Sequence, residues 1–258
     1  MIRIIFWVWY FIGALLLIWL GIPKGLQFSN GLFLVFYAAY AADLIYKGSK
    51  QHLMSDQSVI KKWRTELGIS ALLIWCLGMS VEWIGVHSGK LFGTYIYSDI
   101  LGPLAFGVPI TLGFAWIAVI YNAALISYDF GRRGPRLWLA KGLQIGFWTV
   151  LLDLVLDPVA HARGFWHWGS TGGFYGVPWS NFAGWFIVAM ILSLTLRNVQ
   201  ITCKAARLGT RLYQAILIFF GAVGLREGLM LCGVIAVIGA LLAEGSMRYA
   251  ERRQAQRL

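Results

Sequence analysis

Two aspartates stand one helical turn apart in the run Leu151-Leu152-Asp153-Leu154-Val155-Leu156-Asp157-Pro158. A spacing of four puts both carboxyls on one helix face. No cation lies nearby on that helix, so two close carboxyls in an apolar setting favour one staying protonated, the form a general acid takes. The alternative is that they bond loop amides or pair with Arg163. Glu82 lies in another apolar segment, with His87 five residues on, and its alternative is an ion pair with Lys90. Carboxyls inside a membrane are costly and usually functional, which singles out Asp157 and Asp153 as acid candidates and Glu82 as partner base or water positioner. Of the other acids, Asp56, Glu66, Asp129 and Glu251 fall in basic regions. Asp43 and Glu244 sit toward segment ends beside a Lys or Arg, Glu227 adjoins Arg226, and Asp99 stays with Glu82 and the two aspartates among the acids these readings leave.

Aromatic residues crowd the same neighbourhoods. Trp83, Tyr95, Tyr97, Trp166, Trp168, Tyr175 and Trp185, with Asn181, are the candidate substrate-binding set. They read either as an interfacial belt or as a pocket for a polyunsaturated lipid whose carbocation the ring faces stabilise. His87, His161 and His167 show no H-x-x-x-H or E-x-x-H spacing, so no metal site is assigned. Cys76, Cys203 and Cys232 lie far apart in or beside apolar segments and read as packing residues.

The elements that hold these residues follow from composition. Of 258 residues, 59% are hydrophobic and 13% charged. A soluble domain carries about 25% charged residues. So few charges exclude a soluble, disordered or disulfide-scaffold protein and leave a polytopic membrane protein. Eight apolar spans are expected, near 4–22, 28–46, 67–86, 105–127, 137–157, 179–196, 212–226 and 229–247. The first has only Arg3 ahead of it and no small-residue cleavage site, so it reads as a span rather than a signal peptide. If the N-terminus is inside, every Lys and Arg falls on the inner side except Lys24, Lys90, Arg163 and Arg226. That asymmetry places both termini in the cytoplasm, in a multi-pass protein of the cell membrane. It also explains the net charge of +11 as topology, without nucleic acid as a partner.

Two outer loops, roughly 87–104 and 158–178, are rich in Gly and aromatics. Each leads into Gly-Val-Pro, at Gly107-Val108-Pro109 and Gly176-Val177-Pro178, with a Trp seven residues after the proline, Trp116 or Trp185. The expectation is an all-α transmembrane bundle forming a single integral membrane domain over 1–258. Within it, 67–127 and 137–196 read as two parallel units of helix, aromatic loop and helix.

These motifs resemble a known family. The first block runs Glu82-Trp83-Ile84-Gly85-Val86, Gly89, Phe92-Gly93, Tyr95, Tyr97, Leu101-Gly102-Pro103, Gly107-Val108-Pro109 and Trp116. The second runs Asp153, Asp157-Pro158-Val159-Ala160, Gly164, Trp166, Trp168, Gly172, Tyr175-Gly176-Val177-Pro178, Asn181-Phe182 and Gly184-Trp185. Together they are similar to membrane carotenoid biosynthesis proteins of the CruF type. The resemblance covers roughly residues 67–196. It implies a carotenoid 1,2-hydratase, a hydro-lyase that adds water across the terminal C1=C2 bond of an acyclic carotenoid end group, with no cofactor. The implied partners are the lipid bilayer, a linear carotenoid, water and other enzymes of the carotenoid pathway. Two other readings stay open. Asp153-x-x-x-Asp157 faintly resembles half of the aspartate-rich motif of Mg-diphosphate prenyltransferases, and the repeat suits a non-enzymatic lipid transporter or scaffold.

Overall fold

The computed structural model describes residues 1–49, 56–128, 134–169, 172–196 and 199–256. Lys50, Asp129, Arg132, Arg133, Arg197 and Arg257, which enter the charge argument, lie outside the described residues. Among the described residues the chain forms eight α-helices. They are α1 (Ile2–Leu15), α2 (Phe28–Gly48), α3 (Gln57–Ser88), α4 (Leu112–Leu125), α5 (Gly134–Ala162), α6 (Trp179–Leu192), α7 (Cys203–Arg226) and α8 (Met230–Ala255). With the adjoining turns of α1, α2 and α6, seven of these are long and apolar enough to cross a membrane. The protein is an all-α, multi-pass bundle.

The eighth helix departs from the expected span. At 14 residues α4 is short, roughly 21 Å at 1.5 Å per residue, against a bilayer core of about 30 Å. Residues 105–111, expected as helix, instead turn back through β2 (Leu104–Ala105) and β3 (Val108–Pro109), which pair antiparallel. The turn uses positive φ at Phe106 and Gly107, which an α-helix cannot accommodate. α4 is buried almost all round and packs on α2, α3, α5 and α7, so protein rather than lipid surrounds it.

Other boundaries move outward. α3 starts at Gln57, well before 67, because Asp56 caps it by accepting from the Ser58 N–H at 2.8 Å. α7 starts at Cys203, capped by Thr202. α5 does not end at Asp157 but continues through Pro158 to Ala162. Proline offers no N–H to the carbonyl of Leu154. Cys232 of α8 supplies a weak donor there, its Sγ lying 3.8 Å from that oxygen.

The aromatic loops join at one end of the bundle. β1 (Tyr95–Tyr97) pairs antiparallel with β4 (Trp166–Trp168), with Tyr95 opposite Trp168 and Tyr97 opposite Trp166. Phe106 and Tyr175, each just before a Gly-Val-Pro, both take positive φ, 51° and 52°. Trp116 and Trp185 stack with centroids 4.2 Å apart and planes 20° apart. Strand pairing and stacking thus bind the two loops and the two helices that follow them into one structure.

Candidate functional site

Glu82 is buried near the end of α3. Its Oε2 accepts the Tyr95 hydroxyl at 2.8 Å and the Tyr97 hydroxyl at 2.7 Å, and its Oε1 accepts Trp116 Nε1–H at 3.0 Å. Alternate residues of a strand share a face, so the period of β1 sends both tyrosines to one carboxylate. Burial first, and then the Glu82 charge, hold both phenols well above the usual tyrosine range, which keeps them donors. Lys90 is not the partner of Glu82.

Asp153 and Asp157 are buried on one face of α5, as their spacing implies. The Asn181 side-chain amide donates to Oδ2 of both. Asn181 sits in the first turn of α6, directly after Pro178 ends the loop. Arg163 does not pair with the aspartates. It forms an ion pair with Glu227 at 3.0 Å and donates to the Leu17 carbonyl at 2.7 Å. Glu227 therefore pairs across the fold rather than with its neighbour Arg226. Asp43 pairs with Lys47, Glu244 with Arg207 and Arg248, and Glu251 with Arg207.

Of His87, His161 and His167, two bond backbone. His87 Nδ1 lies 2.9 Å from the Trp83 carbonyl and His161 Nδ1 3.2 Å from the Trp166 carbonyl. Among the described residues, no three of His, Cys, Asp and Glu gather as a metal site would require.

A cavity joins the acids to side chains of α1, α2, α4 and α7. Its polar wall includes Glu82, Asp157, Asn181, Asn30, Ser29 and Arg163, and its aromatic wall includes Tyr95, Tyr97, Trp166, Trp168 and Trp185. The rest is mostly apolar, from Leu34, Val119, Leu156 and Ile216 among others. Asp153 does not line it and stands behind Asp157. Glu82 lies within electrostatic reach of both aspartates.

Two expected substrate-binding residues fall elsewhere. Trp83 is 47% exposed and does not line the cavity, because one residue past Glu82 turns a helix by about 100°. Tyr175 also lies off the cavity, its hydroxyl accepting the Leu231 N–H at 3.2 Å. Conversely, Trp116 supports the site through Glu82 without lining the cavity, Arg163 lines it, and Trp9, Phe33, Tyr37 and Phe219 line it without having been singled out. The Gly-Val-Pro spacing pointed at Trp116. Trp9, Phe33, Tyr37 and Phe219 carried no signal, because an apolar residue facing a cavity reads in sequence like one facing lipid.

The sequence profile of the family described as "Carotenoid biosynthesis protein" matches residues 30–244. Bisanhydrobacterioruberin hydratase of Haloarcula japonica is 35% identical over 133 residues, 51% of this chain. The match spans 44% of that protein's own length. No solved structure matches the chain. The profile covers most of the bundle, including Glu82, both aspartates and Asn181, and this chain belongs to the carotenoid biosynthesis protein family.

Proposed function

We propose that this protein is a carotenoid 1,2-hydratase, converting an acyclic carotenoid end to a tertiary 1-hydroxy end. The observation that carries the reading is Asp157, one member of an Asn-bridged aspartate pair, opening onto an aromatic-walled apolar cavity shared with Glu82. The printed name of the Haloarcula relative, a hydratase, supports the reaction class.

The chemistry follows from the substrate. The end group is a trisubstituted alkene. The Asp157 carboxyl gives its proton to C2, and the π electrons form the new C–H bond. C1 is left as a tertiary cation. Ring faces of Tyr95, Tyr97, Trp166, Trp168 and Trp185 surround that position, each contact worth about 0.5–2 kcal/mol. A water oxygen then bonds C1, and its surplus proton passes to the Glu82 carboxylate directly or through the Tyr97 hydroxyl. Glu82 accepts three hydrogen bonds, a donor set that holds it as the carboxylate, the form a base needs before it takes a proton. The proton returns to the aspartate pair before the next turnover. No redox cofactor or metal enters this scheme.

In this reading the aromatic end faces outward, both termini lie in the cytoplasm, and the protein resides in the cell membrane. The two units, 67–127 and 137–196, are structural repeats that supply Glu82 and the aspartate pair respectively. The test is expression in cells that make an acyclic carotene, with pigments analysed by liquid chromatography and mass spectrometry. Hydration adds the mass of one water per end, and unchanged pigments would refute the reading.

A further inference from the structure

Among the described residues, glycines inside the α-helices either meet a neighbouring element or face outward, and Gly13 of α1 does neither. A Cβ added at Gly31, Gly78, Gly113 or Gly209 would collide with Leu101, Trp116, Trp75 or Leu125 in turn. Glycine is unfavourable inside a helix, and at those positions close approach offsets the cost. Gly68, Gly134 and Gly245 have no such neighbour and are exposed. Gly13 also has nothing within 4 Å of an added Cβ. Yet at about 100° per residue it shares an arc with Trp9 and with the buried Phe6 and Tyr10. Ile4, Val8, Phe11, Ile12 and Leu15, all exposed, fill the opposite arc. The Cβ direction of Gly13 therefore points into the bundle, at a gap.

The gap belongs to the cavity, which Trp9, Gly13 and Leu17 line at intervals of four residues, along one helix face. The Leu17 carbonyl accepts from Arg163, directly after the helix that carries Asp157. Across from α1, α2 turns Phe33 and Tyr37 to the cavity, and α7 turns Ile216 and Phe219. The rings of Phe33 and Phe219 lie 5.7 Å apart and join those two helices into one wall. The cavity thus runs on from the acids into an apolar slot among three helices. An acyclic carotene is a long, stiff rod of conjugated double bonds, and only its end group meets the acids. The chain behind that end needs a narrow apolar place. Where the wall is glycine, the helix contributes only backbone and a rod can lie against it.

We propose that Gly13 sets the width of a polyene slot among α1, α2 and α7, which holds the conjugated chain while its end group meets Asp157. The inference rests on the hydratase reading and adds to it the place of the chain. A side chain at residue 13 would enter the space the chain needs before it met any protein atom. Leucine also has the higher helix propensity. The substitution is therefore expected to spare the fold and obstruct the substrate. A glycine needed for packing would show the opposite pair of effects.

Wild type, Gly13→Leu and Val8→Phe, each purified into phosphatidylcholine nanodiscs, are titrated with acyclic carotene. Binding is read by tryptophan-fluorescence quenching, hydration by mass spectrometry and folding by thermal melting. Gly13→Leu is expected to need at least tenfold more carotene for half-saturation. Its kcat is expected to stay within about threefold of wild type, and its Tm at or above wild type. Val8→Phe adds bulk on the exposed side of the same helix and is expected to match wild type in all three readouts. Wild-type affinity in Gly13→Leu would overturn the proposal. So would a lowered Tm or failure to fold, which would mark residue 13 as packed. Equal loss of affinity in Val8→Phe would overturn it too. If wild type binds carotene without hydrating it, the hydratase reading fails while the affinity ratio still decides the slot. Absence of binding to wild type would overturn both.

Discussion

Asn181 joins two carboxyls that share a helix face, yet Asp157 alone of the two lines the cavity. That asymmetry separates their roles. Asp157→Asn is expected to lower hydration by about 100-fold or more, the usual loss of a general acid. Asp153→Asn, acting through Asp157, is expected to cost less, about tenfold, by the same pigment assay. Tyr97→Phe removes one of the three donors on Glu82, and hydration is expected to fall while the folded protein is still recovered. The helical spacing of the aspartates was legible in the sequence. The Glu82 partners were not, because Tyr95 and Tyr97 reach it through a strand pairing between distant loops.

At the scale of elements, α3 and α4 approach closely where Gly78 meets Trp116. A Cβ at residue 78 would lie 2.6 Å from Trp116 Cδ1. Gly78→Ala must push the indole that donates to Glu82, with an overpacking cost of about 1–3 kcal/mol. Both thermal stability and hydration are expected to fall. Trp83→Ala, on the exposed side of the same helix, is expected to keep activity within about twofold of wild type and serves as its control. Apolar runs made the helices legible, and basic residues ordered them. The start of α4 was not legible, since Leu104–Pro109 is as apolar as a span, and the continuation past Pro158 runs against the helix-ending signal of a proline.

At the scale of the molecule, the cavity reaches α1, which lies outside the family match. α1 is held by the Tyr10 hydroxyl to the Ala215 carbonyl at 2.8 Å, by Trp9 to Ser29 and by Arg163 to Leu17. Its sequence shows a hydrophobic span and nothing of the cavity it helps to close. The proposed orientation is checked on a cysteine-free background, using an impermeant thiol reagent on intact cells. Ser98→Cys, at the aromatic end, is expected to label, and Gln57→Cys, at the opposite end of α3, only after lysis. The reverse pattern would invert the topology.

The central claim is that Asp157 protonates an acyclic carotenoid end beside a captured water. Its most direct test is mass analysis of pigments from acyclic-carotene-producing cells expressing wild type or Asp157→Asn at equal membrane levels. The account predicts that wild type adds the mass of one water and the variant leaves the carotene unchanged. Equal hydrated product from both, or none from wild type, would contradict it.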